Sequence, residues 1–393
     1  MAHALFGASR RATCPQELID LILDEVDPTD HPTLKSCALV GRSFRPTSQK
    51  RIFSDLTILP DHGSFLALQR LEVVLSASPH LAQHVRTLHL VQTDSRRSYM
   101  WMQSAISAAI LSVLNDVKSL RIRLRDWDHL DPTCKQAIYS LITRSSLSSI
   151  KIDGASFPTN PELIALLQCF PTSLESASFS DVWTNWTDLT GNSVPLHQLR
   201  LASLQLSTHA APLFDWAIRA VDLRCLRYLH ILLHAEAMDV VQPLLDGVIN
   251  VEIYHLSFFS LYSHDGGPNL EKMQRLRTLE ISVQLDWTEI QESGSPGEDN
   301  PLNDAMRALA TAPPTVEHLI LNLDIYDPDE LPNFMGSATV SHLGEGLPAL
   351  RDVVLRIISG ADNAALQRGI RYVQSVFSRL YQKGMLTAIV VPP

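Results

Sequence analysis

A short pattern of apolar positions recurs along most of the chain. It has the form apolar-x-x-apolar-x-apolar and begins at Val85, Leu88 and Leu90. Further copies follow at an average interval of about 29 residues. Because alternate side chains of a strand point to opposite faces, each copy predicts one strand with a single buried face. The middle positions of the later copies are Leu120, Ile150, Ala177, Leu204, Leu229, Leu256, Leu279, Leu319 and Val353.

One such strand cannot bury its apolar side alone, so the copies are expected to stack in register as about ten parallel strands. The segments between them must supply the other wall of the core. Several have the apolar spacing of helices, and three begin with a capping residue followed by proline: Asp131-Pro132, Asn160-Pro161 and Asn300-Pro301. The interval is at the upper end of the range of leucine-rich repeats. The pattern therefore predicts an α/β fold, an irregular leucine-rich-repeat-like solenoid with a curved parallel sheet and helices on the convex side.

The repeat region, residues 59–393, is irregular in its spacing and has a distinct end. The interval is shortest before Leu279 and longest after it, where the polar, acidic segment 291–300 predicts an exposed loop. Residues 364–383 predict an amphipathic helix. Together with a last strand at 387–391, this helix is expected to cap the sheet.

Three short helices are predicted before the repeats, in a module at residues 13–58. The first follows Pro15, which suits the first turn of a helix because proline has no N–H to leave unsatisfied. Its apolar residues exceed what one packed face requires. Three helices in about forty residues bury too little apolar surface to be stable alone, so the module is expected to be stabilised by a partner. The buried set expected for the second helix is Leu34, Cys37, Ala38 and Leu39.

The order of residues in this module resembles an F-box. Behind Cys14 comes Pro-x-Glu-Leu-Ile, then a charged turn, then Leu-x-x-Cys-x-Leu-Val-x-Arg-x-Phe. The segment 50–58 is similar to the way F-box proteins of mushroom-type fungi enter their first strand. Cys14 stands where the family usually has leucine, and Phe44 where it usually has tryptophan. The positions that match the family's adaptor-binding motif are Pro15, Leu18, Ile19, Leu39, Val40 and Phe44.

The resemblance implies a substrate-recognition adaptor of a cullin-based ubiquitin ligase. The F-box would bind a Skp-type adaptor, which joins the cullin, and the repeats would bind a protein substrate. A second interpretation keeps the repeats as a protein-interaction scaffold with no ubiquitin role, in which the N-terminal helices pack on their own domain. Fold alone does not decide between the two.

Composition and charge narrow the choice of partners and compartment. The chain is 45% hydrophobic with a formal net charge of −10, which is typical of a globular protein and argues against nucleic acid or an anionic membrane as the main partner. Its five cysteines are scattered without zinc spacing, as expected for thiols in the cytoplasm or nucleus. Residues 1–12 are expected to be flexible, and no segment has the length and hydropathy of a membrane span.

No motif indicates an enzyme, a cofactor or a metal site. The segment 344–349 fits the loose form G-x-G-x-x-A, but it precedes a strand, and a dinucleotide site needs the strand first. The run 126–131 contains three aspartates and a histidine, which suit a metal. Such a run is more typical of a solvated loop and helix cap. No catalytic, cofactor-binding or metal-binding residue is therefore expected.

A partner-binding surface is predicted from tryptophans that fall just past the ends of repeat strands. Tryptophan and arginine are enriched among the residues that dominate interfaces. Outward-facing basic and imidazole side chains of the strands would add to this surface. The alternative is that the rings cover the ends of the core beneath their own loops. The predicted set is Arg121, Arg123, Trp127, Trp183, Trp186, His230, His255 and Trp287.

Overall fold

The computed structural model describes residues 14–27, 29–59, 64–92, 99–184, 198–207, 209, 211–233, 238–258, 267–285, 301–334 and 346–391. Within these residues, strands alternate with helices along the chain. The strands are β1 (Asp55–Ile58), β2 (Thr87–Val91), β3 (Ser119–Arg123), β4 (Ser149–Asp153), β5 (Ser156–Phe157), β6 (Ser176–Ser180), β7 (Trp183–Thr184), β8 (Ser203–Ser207), β9 (Tyr228–Leu233), β10 (Ile253–Phe258), β11 (Thr278–Leu285), β12 (His318–Ile325), β13 (Asp352–Ile358) and β14 (Leu386–Val391). The helices are α1 (Gln16–Asp24), α2 (His31–Val40), α3 (Arg45–Ile52), α4 (Ser64–Ala77), α5 (Tyr99–Met102), α6 (Ala105–Val113), α7 (Pro132–Arg144), α8 (Asn160–Gln168), α9 (Ala211–Ala220), α10 (Met238–Gly247), α11 (Pro301–Ala310), α12 (Leu331–Phe334), α13 (Asn363–Val376) and α14 (Ser378–Gln382).

Twelve of the described strands form one open sheet whose spatial order follows the sequence. The order is β1-β2-β3-β4-β6-β8-β9-β10-β11-β12-β13-β14, and β5 pairs with β7 in a separate two-stranded sheet. All neighbours in the large sheet run parallel. This confirms the predicted α/β class with a parallel sheet. Each of the ten apolar patterns lies on a strand, and β1 and β14 extend the sheet at its two ends.

The register of β10 differs from the one that the apolar pattern predicts. Tyr254, not Leu256, pairs with both Leu229 and Leu279. Ile253, which the pattern places inward, is 41% exposed. A shift of two residues keeps the same face of a strand buried, so apolar periodicity alone cannot detect it. With Tyr254 as the middle position of β10, this position is equally far in sequence from the corresponding residues of β9 and β11, Leu229 and Leu279.

Strands and return helices share one hydrophobic core. Strand residues alternate between fully buried and partly exposed, as in β3, where Leu120 and Ile122 are buried and Arg121 is not. Buried residues of the helices, such as Leu141 of α7 and Leu244 of α10, belong to the same continuous cluster. The sheet therefore has one packed face and one open face, and the open face carries the side chains that remain accessible.

Two of the predicted helix boundaries require correction. Asp131 caps α7 as expected, because its carboxylate accepts a hydrogen bond from the Thr133 backbone N–H. Asn160 does not cap α8: Thr159 occupies the N-cap, and Asn160 is buried in the first turn. The single helix predicted for 364–383 is broken at Phe377, which has φ −94° and ψ 31°. Asn300 and the predicted loop 291–300 lie outside the described residues, as do residues 1–12.

The N-terminal helices have a small core of their own. Ile19 and Leu23 of α1 pack with Leu34 of α2. The chain then passes from α3 directly into β1, where the Ser54 carbonyl accepts hydrogen bonds from the backbone N–H groups of Arg86 and Thr87. The helical module is thus joined to the first edge of the sheet. None of the described helices is long and apolar enough to cross a membrane.

Candidate partner-binding surfaces

Helix α1 carries apolar side chains on two adjacent faces. Ile19 and Leu23 are four residues apart and therefore lie on one face, which is buried in the small core. Leu18, Leu21 and Ile22 fall on the neighbouring face, where they are 50%, 61% and 55% exposed. The apolar excess in the sequence of α1 therefore corresponds to a second face that the described part of the chain leaves exposed.

Helix α2 ends in two more exposed apolar residues. Leu39 and Val40 are 84% and 73% exposed, whereas Leu34 is fully buried. The expectation that Leu39 belongs to the core is wrong, because five residues after Leu34 place it about 140° round the helix axis. The exposed residues of the two helices are called the exposed apolar set: Leu18, Leu21, Ile22, Leu39 and Val40.

The predicted adaptor-binding residues divide into accessible and packed ones. Pro15 is exposed, as are Leu18, Leu39 and Val40. Ile19 is only 1% exposed, and Phe44 packs partly buried against the same small core. These two residues hold the helices together and present little surface. Sequence reasoning missed Leu21 and Ile22 as contact residues, although their helical spacing from Leu18 places them beside it.

The open face of the sheet carries a row of polar side chains in register. Residues of adjacent strands lie side by side, at strand separations of about 4.8 Å. The row consists of His89, Arg121, Lys151, Ser178, Gln205, His230, His255 and Glu280. Three of the predicted partner-binding residues, Arg121, His230 and His255, are in this row.

Two histidines form the centre of a hydrogen-bonded network on the open face. The rings of His230 and His255 stack in parallel with centroids 3.9 Å apart. His230 Nε2 lies 3.0 Å from Ser257 Oγ, and His255 Nε2 lies 2.8 Å from Ser282 Oγ. Asn322 Nδ2 continues the network by donating to Ser282 Oγ at 2.8 Å.

The network ends in a charged pair that links β11 with β13. Asn322 Nδ2 also donates to Glu280 Oε1 at 2.7 Å, and Arg356 Nη1 lies 3.3 Å from the same oxygen. The side chains of β9 to β13 therefore hold one another in place. This part of the open face therefore carries uncharged hydrogen-bonding groups and one ion pair, in which the charges of Glu280 and Arg356 neutralise each other.

Both imidazoles are held in the neutral form at physiological pH. Burial, together with smaller contributions from the neighbouring His255 and Lys151, lowers the pKa of His230 to about 3. Burial also lowers the pKa of His255, against the opposing effect of Glu280. A neutral imidazole has one ring nitrogen that donates and one that accepts, so the pair offers both kinds of hydrogen bond to a partner.

Acid is expected to destabilise the fold through His230. Its pKa is about 3 in the fold against an ordinary 6.5, so between these values the unfolded chain binds the extra proton. The free energy of unfolding then decreases as pH falls, by up to about 1.4 kcal/mol per pH unit from this group. His230→Gln should show a shallower loss of stability when urea unfolding is measured at about pH 7, 5.5 and 4. Equal slopes in the two proteins would contradict this assignment.

The predicted tryptophans have different environments. Trp127 is fully buried, with its ring centroid 4.8 Å from that of Phe157, so it belongs to the core and not to a partner-binding surface. A second ring neighbour, Tyr139, comes from α7. Trp183 is 48% exposed, and its ring stacks on His209 at 3.6 Å. Trp186 and Trp287 lie outside the described residues.

Within the described ranges, no three His, Cys, Asp or Glu side chains are placed to hold a metal ion together. In the run 126–131, Asp131 caps α7, and Trp127–His129 form a single turn of 3-10 helix. The turn buries Trp127 in the core. This part of the chain therefore has a structural role, as a helix cap and as a turn that contributes to the core.

A scan against protein-family models finds no family that matches this chain, and a search of curated proteins finds no match. Function must therefore be inferred from the residues and their geometry.

Proposed function

We propose that this chain is the substrate-recognition adaptor of a cullin-based ubiquitin ligase. Its N-terminal module, residues 13–58, would be an F-box that binds a Skp-type adaptor, through which the cullin joins the complex. The open face of the repeat sheet would bind the protein substrate. The observation that carries the proposal is the exposed apolar set on α1 and α2.

The size of the exposed apolar set argues for a partner. Full burial of one leucine or valine side chain is worth about 1.5–3 kcal/mol relative to exposure. Among its described residues, the module's own core contains three buried apolar side chains, Ile19, Leu23 and Leu34. It thus exposes more large aliphatic side chains than it buries, which marks an interaction site. A partner that covers these residues would also stabilise the module.

The F-box resemblance supports the same assignment residue by residue. Among the motif positions, Ile19 and Phe44 pack inside the module, while Leu18, Leu39 and Val40 face outward. A docking module needs both groups, because the inner residues fix the helices and the outer ones contact the adaptor. The connection from α3 into β1 would then hold the substrate-binding sheet at a fixed position relative to the ligase.

Charging the exposed apolar set is expected to abolish adaptor binding. In a Leu18→Asp/Val40→Asp double variant, each carboxylate would have to be buried without a partner at the interface. Binding of a purified Skp-type adaptor, measured by calorimetry, should weaken at least about 100-fold, which corresponds to about 2.7 kcal/mol. The repeat sheet should remain folded, because neither residue contacts its core.

A matched control is available on α4. Leu66 and Val73 are 61% and 62% exposed and lie outside the module. Leu66→Asp/Val73→Asp introduces the same charge on exposed aliphatic positions and should leave adaptor binding unchanged. If the unmutated chain shows no binding to the adaptor at micromolar concentration, the interaction-scaffold interpretation without a ubiquitin role replaces the proposal.

A further inference from the structure

Basic side chains concentrate at one end of the open face. Arg121 and Arg123 project from β3, and Lys151 projects from β4 directly beside Arg121. On the other side, His89 of β2 pairs in register with Arg121. These positions bring cationic groups together on neighbouring strands in a chain whose net charge is −10.

A single carboxylate among the described residues of β3 and β4, Asp153, lies in register with these cations, opposite Arg123. Arg121 Nη2 forms an ion pair with Asp153 Oδ2 at 3.1 Å. Arg123 is exposed and Lys151 is partly exposed, and neither side chain has a hydrogen-bond or ion-pair partner among the described residues. The charge of Lys151 also reaches His230, where it contributes to the lowered pKa of the imidazole. The positive field therefore extends from β3 toward the histidine pair.

The position of Arg121 directly opposite Lys151 costs stability, because like charges opposite each other on adjacent strands repel. At the other end of the open face, Arg356 is paired with Glu280, and Asp352 with His318. Local conflicts of this kind are typical of functional sites, where a ligand supplies the missing counter-charge. The three cations of β3 and β4 are called the basic cluster: Arg121, Arg123 and Lys151.

We infer that the basic cluster binds carboxylate side chains of an extended acidic segment of the substrate protein. The inference rests on the proposed function, since it specifies what the sheet recognises. Past the cluster, Ser178 and Gln205 lead along the same row to the neutral His230. Uncharged donors and acceptors of this kind suit the peptide groups of the segment. From β3 to β9 the row spans about 19 Å, which an extended chain covers in about six residues.

A protein segment fits this surface better than a nucleic acid does. Nucleic-acid binding draws on many phosphate contacts and on a basic surface that follows the backbone. Here three cations occupy two strands, and the rest of the molecule is acidic overall. Within the row of side chains beside the cluster, the groups are hydroxyl, amide and imidazole.

The test uses fluorescently labelled peptides of about eight residues, slightly longer than the span of the row. One alternates glutamate with serine, and the other alternates glutamine with serine. Fluorescence anisotropy with the full chain should show binding of the acidic peptide and at least about tenfold weaker binding of the glutamine peptide. Added salt should weaken the acidic peptide's binding, because exposed charges are screened.

Neutralising the cluster provides the decisive comparison. Arg123→Gln/Lys151→Gln should weaken binding of the acidic peptide at least about tenfold. Arg371→Gln/Lys383→Gln removes the same charge from exposed positions near the C-terminal end and should leave binding unchanged. Thermal unfolding of all three proteins checks that the fold is retained.

The inference is overturned by any of three results. These are equal binding of the acidic and glutamine peptides, equal weakening by the two double variants, and tighter binding of a single-stranded oligonucleotide of the same charge. Adaptor binding is measured separately, through the N-terminal module. Failure of the peptide test with intact adaptor binding would therefore reject only the acidic substrate, and failure of adaptor binding alone would reject only the ligase role.

Discussion

Replacing Trp127 by alanine is expected to lower the free energy of unfolding by about 3–5 kcal/mol. The indole is fully buried and packs between Phe157 and Tyr139, with ring centroids 4.8 and 6.3 Å away. Its removal leaves a cavity that these rigid rings cannot fill, and it also removes aromatic contacts. Urea unfolding followed by circular dichroism measures the loss.

Trp183→Ala is the matched comparison. Trp183 also follows a repeat strand, but it is 48% exposed and contacts His209 by stacking. Its replacement should cost less than about 1 kcal/mol, as is usual for partly exposed positions outside the core. A loss at Trp127 as small as the one expected at Trp183 would show that Trp127 is not a core residue.

Leu279→Ala is expected to cost about 2–5 kcal/mol. Leu279 of β11 is fully buried and pairs with Tyr254 of β10 on one side and Leu319 of β12 on the other. The strands on both sides are tied by parallel hydrogen bonding, so the backbone can close little of the cavity. The free energy of unfolding from denaturant titration provides the measurement.

Thr278 supplies the control for the face of this strand. It precedes Leu279 and points to the open face, where it is partly exposed. Thr278→Ala should therefore cost much less than Leu279→Ala. A larger loss at Thr278 would mean that the two faces of β11 have been exchanged, which a register slip of one residue would produce.

The strands were predictable because burial of a single face imposes a period of two on the sequence. The same property explains the misassigned register of β10. Ile253, Leu256 and Phe258 fit the apolar pattern as well as Val251, Tyr254 and Leu256 do. Only pairing with β9 and β11 distinguishes them. The middle position of β10 is tyrosine, whereas most other copies have an aliphatic residue there, so the apolar pattern alone favours Leu256.

Features that depend on contacts between distant residues were not predictable. In the sequence, Trp127 and Trp183 both follow the end of a strand, so nothing distinguishes their environments. Their different burial involves residues of other segments, Phe157 beside Trp127 and His209 beside Trp183. The same holds for Leu39, whose exposure depends on which side of α2 meets α1. The histidine network also depends on strand register, which places His230 beside His255 although the two residues are far apart in sequence.

The pairing of every strand in the large sheet with its sequence neighbours limits how far a perturbation travels. Energetic coupling in such an array passes from one unit to the next and weakens with distance. Local opening is then expected in separate cooperative segments, with a free energy of opening that differs along the sheet. After Leu279→Ala, amide hydrogen exchange should accelerate first in β10 to β12, while β2 and β3 keep their protection. The N-terminal end of the sheet would in this way remain folded while the distant part of the sheet fluctuates.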